Sequence, residues 1–115
     1  MDKIASFYAD DASVFAANMK MVTGMADMKP AIKGFLDMNF SFQNGPSIKV
    51  DVSKAGDMAY AQGTQTSKFS DSKTKKVMME EDKWVTVFKK QADGSWKAVA
   101  DIFNADAPAM PDHAR

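Results

Sequence analysis

The residues best equipped for chemistry in this chain are carboxylates. Glu80, Glu81 and Asp82 stand in succession, and strand alternation would put Glu80 and Asp82 on one sheet face with Trp84 and Thr86. Two acids beside an indole ring, turned toward an apolar interior, are the ingredients of proton transfer. Burial raises one carboxyl toward neutrality, and a second carboxylate placed nearby moves the proton. The same run also reads as a solvated strand end beside the basic turn Lys73-Thr74-Lys75-Lys76, the usual fate of charged runs. Asp101 and Asn104 interrupt an otherwise apolar segment; once buried, Asp101 must be paired or hydrogen-bonded, whether it meets a ligand or caps a neighbouring backbone group. Tyr60, Gln62 and Thr64 offer hydroxyl and amide groups to the same cavity, or pack at its rim. Asp10 and Asp11, where a helix should give way to a strand, read as acceptors of turn hydrogen bonds.

Other chemistries are excluded by what is missing. The chain has no cysteine, so disulfides, thiolate metal sites and thiol nucleophiles are out. His113 is the only histidine and lies in the tail, which leaves neither a zinc site nor an imidazole base; no metal and no cofactor is expected. Fifteen basic residues balance fifteen acidic ones, and the basic ones are spread over both halves. Nothing marks a face for phosphate backbones, so no nucleic acid is expected. No apolar stretch reaches the roughly 18 residues of a membrane-spanning helix, so no membrane partner is expected. Met1-Asp2-Lys3 leads into a short amphipathic run, not a signal sequence. The compartment reads as cytoplasmic if Met1 is the true start, and as secreted or periplasmic if an upstream signal peptide was removed. Ten methionines are many for this length and are read mainly as fillers of an irregular core.

The elements that must position these residues follow from the periodicity. At 115 residues the chain suits one domain around one core, taken as residues 1–108 with a loosely ordered tail at 109–115. Ile4, Phe7 and Tyr8 have helical spacing, so residues 2–9 are expected to be helical, with a short strand from Ala12 to Ala16. After Thr23-Gly24, the residues Met25, Met28, Ile32, Phe35 and Leu36 paint one apolar stripe on a helix ending near Asn39. Pro30 should kink that helix unless Asp27 caps its start. From residue 40 the period becomes two. Asn44-Gly45-Pro46 reads as a loop, Ile48 to Ser53 as a strand, Met58 to Phe69 as a second with a possible bulge at Gly63, Val77 to Lys90 as a third, and Trp96 to Asn104 as a fourth. Helices first and a strand meander last make an α+β arrangement.

Phe7-Tyr8-Ala9-Asp10-Asp11-Ala12-Ser13-Val14, Val22-Thr23-Gly24, Trp84-Val85-Thr86-Val87-Phe88, and Asp93-Gly94-Ser95-Trp96-Lys97 leading to Ala100-Asp101-Ile102-Phe103-Asn104 occur in a recognisable order. Through them residues 3 to about 108 resemble the SnoaL-like, ketosteroid-isomerase-like domains of the nuclear-transport-factor-2-like superfamily, nearest a subgroup of unknown function. The resemblance implies a cone-shaped curved antiparallel sheet on N-terminal helices, the cystatin-like fold, with the first helix shortened here. It also implies a pocket. The position matching the family's general-base aspartate falls at or near Ala16, and the helix that would bring its tyrosine is missing, so steroid isomerase activity in the family's form is not expected. Asp82 is the match to the late-strand acid.

The leading expectation is therefore a pocket-forming domain for a small apolar molecule, held by Trp84, Met28, Phe35 and Asp101, with Tyr60, Gln62, Thr64 and Asn104 supplying polar contacts. One alternative is an isomerase or cyclase using Asp82, Glu80 or Asp101 as acid or base. Another is a homodimeric scaffold joined through the outer sheet face, at Val85, Val87, Val99 and Phe103.

Overall fold

The computed structural model describes residues 2–17 and 19–112. A first helix, α1 (Asp2–Ala5), is followed by β1 (Tyr8–Ala16), the short β2 (Val22–Thr23), and the main helix α2 (Met25–Asp37). Then come four long strands, β3 (Ser41–Val52), β4 (Met58–Ser70), β5 (Val77–Lys90) and β6 (Trp96–Ala105), and a two-residue β7 (Met110–Pro111). They form one curved, mixed sheet in the order β2-β1-β6-β5-β4-β3, with β7 beside β5. The meander β3 to β6 is antiparallel, and β1 joins it as a parallel neighbour of β6.

β4, β5 and β6 match the expected strands to within one residue at each end, whereas β3 begins at Ser41, well before the expected Ile48. The N-terminal region differs, since α1 stops at Ala5 and Tyr8 already pairs with Ala98 across the sheet. Local periodicity favoured a longer helix there, but strand pairing with β6 satisfies the backbone groups of residues 8–16 instead.

Helix α2 starts at Met25, with Gly24 preceding it at φ 80°, a conformation that favours glycine. The Gly24 amide donates to the Ala12 carbonyl and so ties the helix start to β1. Asp27 is therefore not the cap but sits in the first turn, where its charge complements the helix dipole, and Pro30 lies inside the helix. The helix ends as the sequence suggests. Asn39 takes a left-handed φ of 55°, its amide donates to Leu36 and that of Phe40 to Phe35, and the Phe35 and Phe40 rings close the motif at 5.1 Å.

Asn44-Gly45-Pro46 is not a loop. β3 runs straight through it, with a register shift between Asn44 and Ile48 that sets Gly45, Pro46 and Ser47 against Thr64 alone. An edge strand tolerates the missing amide of Pro46. A Cβ on Gly45 would stand 2.2 Å from the Thr64 hydroxyl, which explains the glycine at the bulge.

The core lies at the β1, β2 and α2 end, where Ala5, Ala12, Val14, Val22, Met28 and Ile32 are buried and Tyr8, Met25 and Phe103 pack against them. Only part of the predicted helix stripe is covered, since Leu36 is exposed. The methionines are also not mainly core. Met28 is buried, but Met19, Met21, Met58 and Met110 are exposed. Residues 110–112 are tied down, with Met110 and Pro111 pairing with β5 and Lys68 bridging Asp112 at 2.9 Å. His113 lies outside the described residues.

Candidate functional site

The β4–β5 pairing, unbroken from Met58↔Lys89 to Ser70↔Val77, decides which side chains share a face. Residues Ala61, Gly63, Gln65 and Ser67 stand beside Thr86, Trp84, Asp82 and Glu80. Trp84 pairs in turn with Phe103, and Thr86 with Asp101. This is the face on which α2 packs, as the Phe35 and Phe103 rings, 6.4 Å apart, show.

Asp82 is fully buried on it, and so is Ser67. Oδ2 of Asp82 accepts the Ser67 hydroxyl and, at 3.1 Å, the Gln65 amide, which also donates to Ser67 Oγ at 3.3 Å. Oδ1 of Asp82 is buried and has no hydrogen-bonded donor among these groups. Glu80 is the neighbour that can supply one. Burial, and then the neighbouring Asp82 carboxyl, push its carboxyl up to about 7.

A second polar group lies two register steps away. Tyr8 on β1 donates its phenol to Asp101 Oδ2 at 2.9 Å, and Thr86 on β5 donates to Asp101 Oδ1 at 3.0 Å. Burial raises the Asp101 carboxyl above its ordinary value, and these two hydrogen bonds oppose the rise. Burial, and then the charge of Asp101, hold the Tyr8 phenol well above its ordinary value. Asp101 thus has side-chain donors and is no backbone cap.

The predicted site residues divide between two faces. Trp84, Glu80, Asp82 and Asp101 fall on the helix-side face with Phe35 nearby. Tyr60, Gln62 and Thr64 do not join them, because Tyr60 pairs with Val87, Gln62 with Val85 and Thr64 with Lys83, all of the opposite parity. Asn104 also pairs with Lys83 and faces outward. Met28 is packed into the core at 2% exposure. Phe103 belongs to the helix side, so it cannot join Val85 and Val87 on the outer face. Sequence reasoning missed Gln65, Ser67 and Tyr8. Gln65 and Ser67 share the register of the small residues Ala61 and Gly63, a signal that becomes readable only once Ser70 is known to pair with Val77.

Two hollows in the surface lie away from Glu80 and Asp82. One hollow of about 270 Å³ is lined by Asp51, Val52, Ser53, Met58, Ala59, Tyr60 and Val87. Another, of about 220 Å³, lies between α1, the start of α2 and Lys97 and touches Tyr8. Neither reaches Trp84, Glu80 or Asp82. Instead the helix-side face is open along β3, where Phe42, Ile48, Val50 and Val52 are 46–62% exposed and pair with Ser67, Gly63, Ala61 and Ala59. The result is an apolar shelf leading to Trp84. Among the described residues no group of three or more His, Cys, Asp or Glu could hold a metal ion, and no helix is long and apolar enough to cross a membrane.

No family model and no curated protein matches the sequence. Solved structures do match. The hexachlorocyclohexane dehydrochlorinase LinA-type3 of Novosphingobium barchaimii superposes with a TM-score of 0.81 at 13% identity, over 99% of this chain and 77% of that one. A ketosteroid isomerase-like protein of Erwinia carotovora atroseptica gives 0.78 at 14%, over 93% and 82%. An NTF2-like protein with a cystatin-like fold from Novosphingobium aromaticivorans gives 0.71 at 18%, over 92% and 70%. At these identities the likeness establishes the fold: the chain has the nuclear-transport-factor-2-like, cystatin-like α+β architecture.

Proposed function

We propose that this protein is a small-molecule-binding domain whose ligand lies on the helix-side face, against the shelf of Phe42, Ile48, Val50 and Val52 and the ring of Trp84. The observation that carries this reading is the exposure of those four apolar side chains on a face that also presents a few placed polar groups, the usual make-up of a ligand surface. The fold supports it, since structures of the same architecture include a dehydrochlorinase and an isomerase-like protein. The aliphatic part of a small apolar molecule would cover the shelf while Glu80 met its polar end.

The test is a thermal-shift screen against small apolar compounds, followed by Trp84 fluorescence in a Trp96→Phe background. A ligand at one hundred times its Kd adds about 2.7 kcal/mol to folding stability and raises the Tm accordingly. If no compound in a broad library moves either the Tm or the Trp84 emission, the binding reading fails.

A second reading, an isomerase or cyclase working by carboxylate acid/base chemistry on a small apolar substrate, is favoured by one fact. Two carboxyls on this face, Glu80 and Asp101, are raised above their ordinary values. Loss of turnover in both Glu80→Gln and Asp101→Asn, with ligand binding retained, would support it; full turnover in both would end it. Self-association through the outer face is a separate proposal. Phe15 pairs with Ile102 and Ile102 with Val85, so three exposed apolar side chains adjoin across three strands.

A further inference from the structure

Glu80 and Asp82 are two residues apart on one strand and therefore on one face, while Glu81 between them turns outward to the Thr66 hydroxyl at 3.1 Å. Asp82 is fully buried. Such a carboxylate requires cations or donors for both oxygens. Its Oδ2 has Ser67 and Gln65, and its Oδ1 has neither.

Among the described residues no cation answers it from the elements packed around it. β4 presents Gln65 and Ser67, both uncharged, and β3 presents Phe42 and Asn44 beyond them. β6 presents Ala105 opposite Asp82. The nearest titratable group on that strand's same face is Asp101, itself acidic and engaged with Tyr8 and Thr86. β7 contributes Pro111 beside Met78. The lysines nearby are committed elsewhere: Lys83 pairs outward with Asp106, Lys68 with Asp112, and Lys33 on α2 with Asp37. Two carboxyls side by side without a cation cannot both ionise cheaply, and a proton held between them removes the repulsion and supplies the missing donor at once.

We propose that Glu80 holds a proton against Asp82 at neutral pH and releases it as the medium turns alkaline, so that the pair acts as a pH switch at the β4–β5 end of the sheet. The upward displacement of Glu80 to about 7 agrees with this geometry. The sign follows. A carboxyl whose folded value exceeds its unfolded value is protonated preferentially in the folded state, so its stabilising effect is complete below the unfolded value, near 4.5, and is lost as pH rises through about 7. The switch belongs to the ligand-free protein and holds whether or not the shelf binds a small molecule.

The test is carboxyl-carbon NMR titration of the ligand-free chain, together with urea unfolding between pH 5 and 8. The Glu80 resonance is expected to titrate near 7, and wild type should lose roughly tenfold more in folding equilibrium constant than Glu80→Gln over that range, after allowing for solvent screening of Glu80. Comparing the two proteins cancels the contribution of Asp101. In Asp82→Asn the Glu80 midpoint should fall by about one unit or more toward its ordinary value. Should that variant not fold, Glu80→Gln and the wild-type titration decide alone. A wild-type Glu80 midpoint near 4.5, or parallel pH profiles for wild type and Glu80→Gln, overturns the proposal.

Discussion

Replacing Tyr8 by phenylalanine removes one oxygen and leaves the ring in its edge contact with Phe7, at 5.2 Å. What is lost is the hydrogen bond from the phenol to Asp101 Oδ2 at 2.9 Å, between residues 93 positions apart. A hydrogen bond to an ionised group contributes about 1.5–3 kcal/mol, against about 0.5–1.5 for a neutral one. With Asp101 ionised, the variant should lose about 2 kcal/mol. With about 2.1 cal/mol/K of unfolding entropy per residue over 115 residues, that is a drop in Tm of roughly 8 °C. The loss should shrink as pH falls through the raised pKa of Asp101, because a protonated carboxyl needs the phenol less. The variant should also raise that pKa further, since the Tyr8 bond is one of the two that restrain it. Urea unfolding of both proteins across this pH range measures all of this, and Thr86→Val completes a double-mutant cycle on the same carboxyl. A loss below about 0.5 kcal/mol, or one that does not change with pH, would refute the assignment of Asp101 as an ionised acceptor.

Met28→Ala, at the largest fully buried apolar side chain, should cost about 2–5 kcal/mol in chemical denaturation. A near-neutral result would mean the α2 core is not the stabilising one. Gly45→Ala should destabilise by about 1–3 kcal/mol because its Cβ meets the Thr64 hydroxyl, and Thr64→Ala in the same chain should recover part of the loss, so non-additive unfolding energies are the signature. Gly63→Ala presses on the Ser47 carbonyl and the Trp84 ring at 3.2 Å each, and should shift Trp84 emission along with stability. If the outer face self-associates, Ile102→Glu should give a smaller mass in concentrated solution than wild type; equal masses would dismiss that interface.

Much of the fold was legible locally. β4, β5 and β6 were bounded by turn residues and filled with β-formers, and α2 was marked by its stripe and by Gly24 at its start. The misreadings share one cause. Tyr8 and Ala9 have helical spacing with Ile4 and Phe7 but become strand because β6 offers them partners. Asn44-Gly45-Pro46 has turn chemistry, yet β4 continues on the far side and converts the turn into a bulge. Leu36 completes the helical stripe but finds nothing to cover it. In each case a distant partner, or its absence, overrode the local preference.

The amino-acid order by itself established the α+β class, the absence of cysteine, and the presence of Glu80, Asp82, Trp84 and Thr86 on one side of a strand. Tertiary structure alone decided what that side faces. Pairing of Ser70 with Val77 sets Gln65 and Ser67, not Tyr60 and Thr64, beside the acids, and parallel pairing of β1 with β6 brings Tyr8 to Asp101. Alternation is a property of consecutive residues, whereas register and desolvation depend on which distant segments close over them. The carboxyls were therefore visible in the sequence as candidates, while their displaced proton affinities arise only where the folded chain removes water and brings up a neighbouring charge.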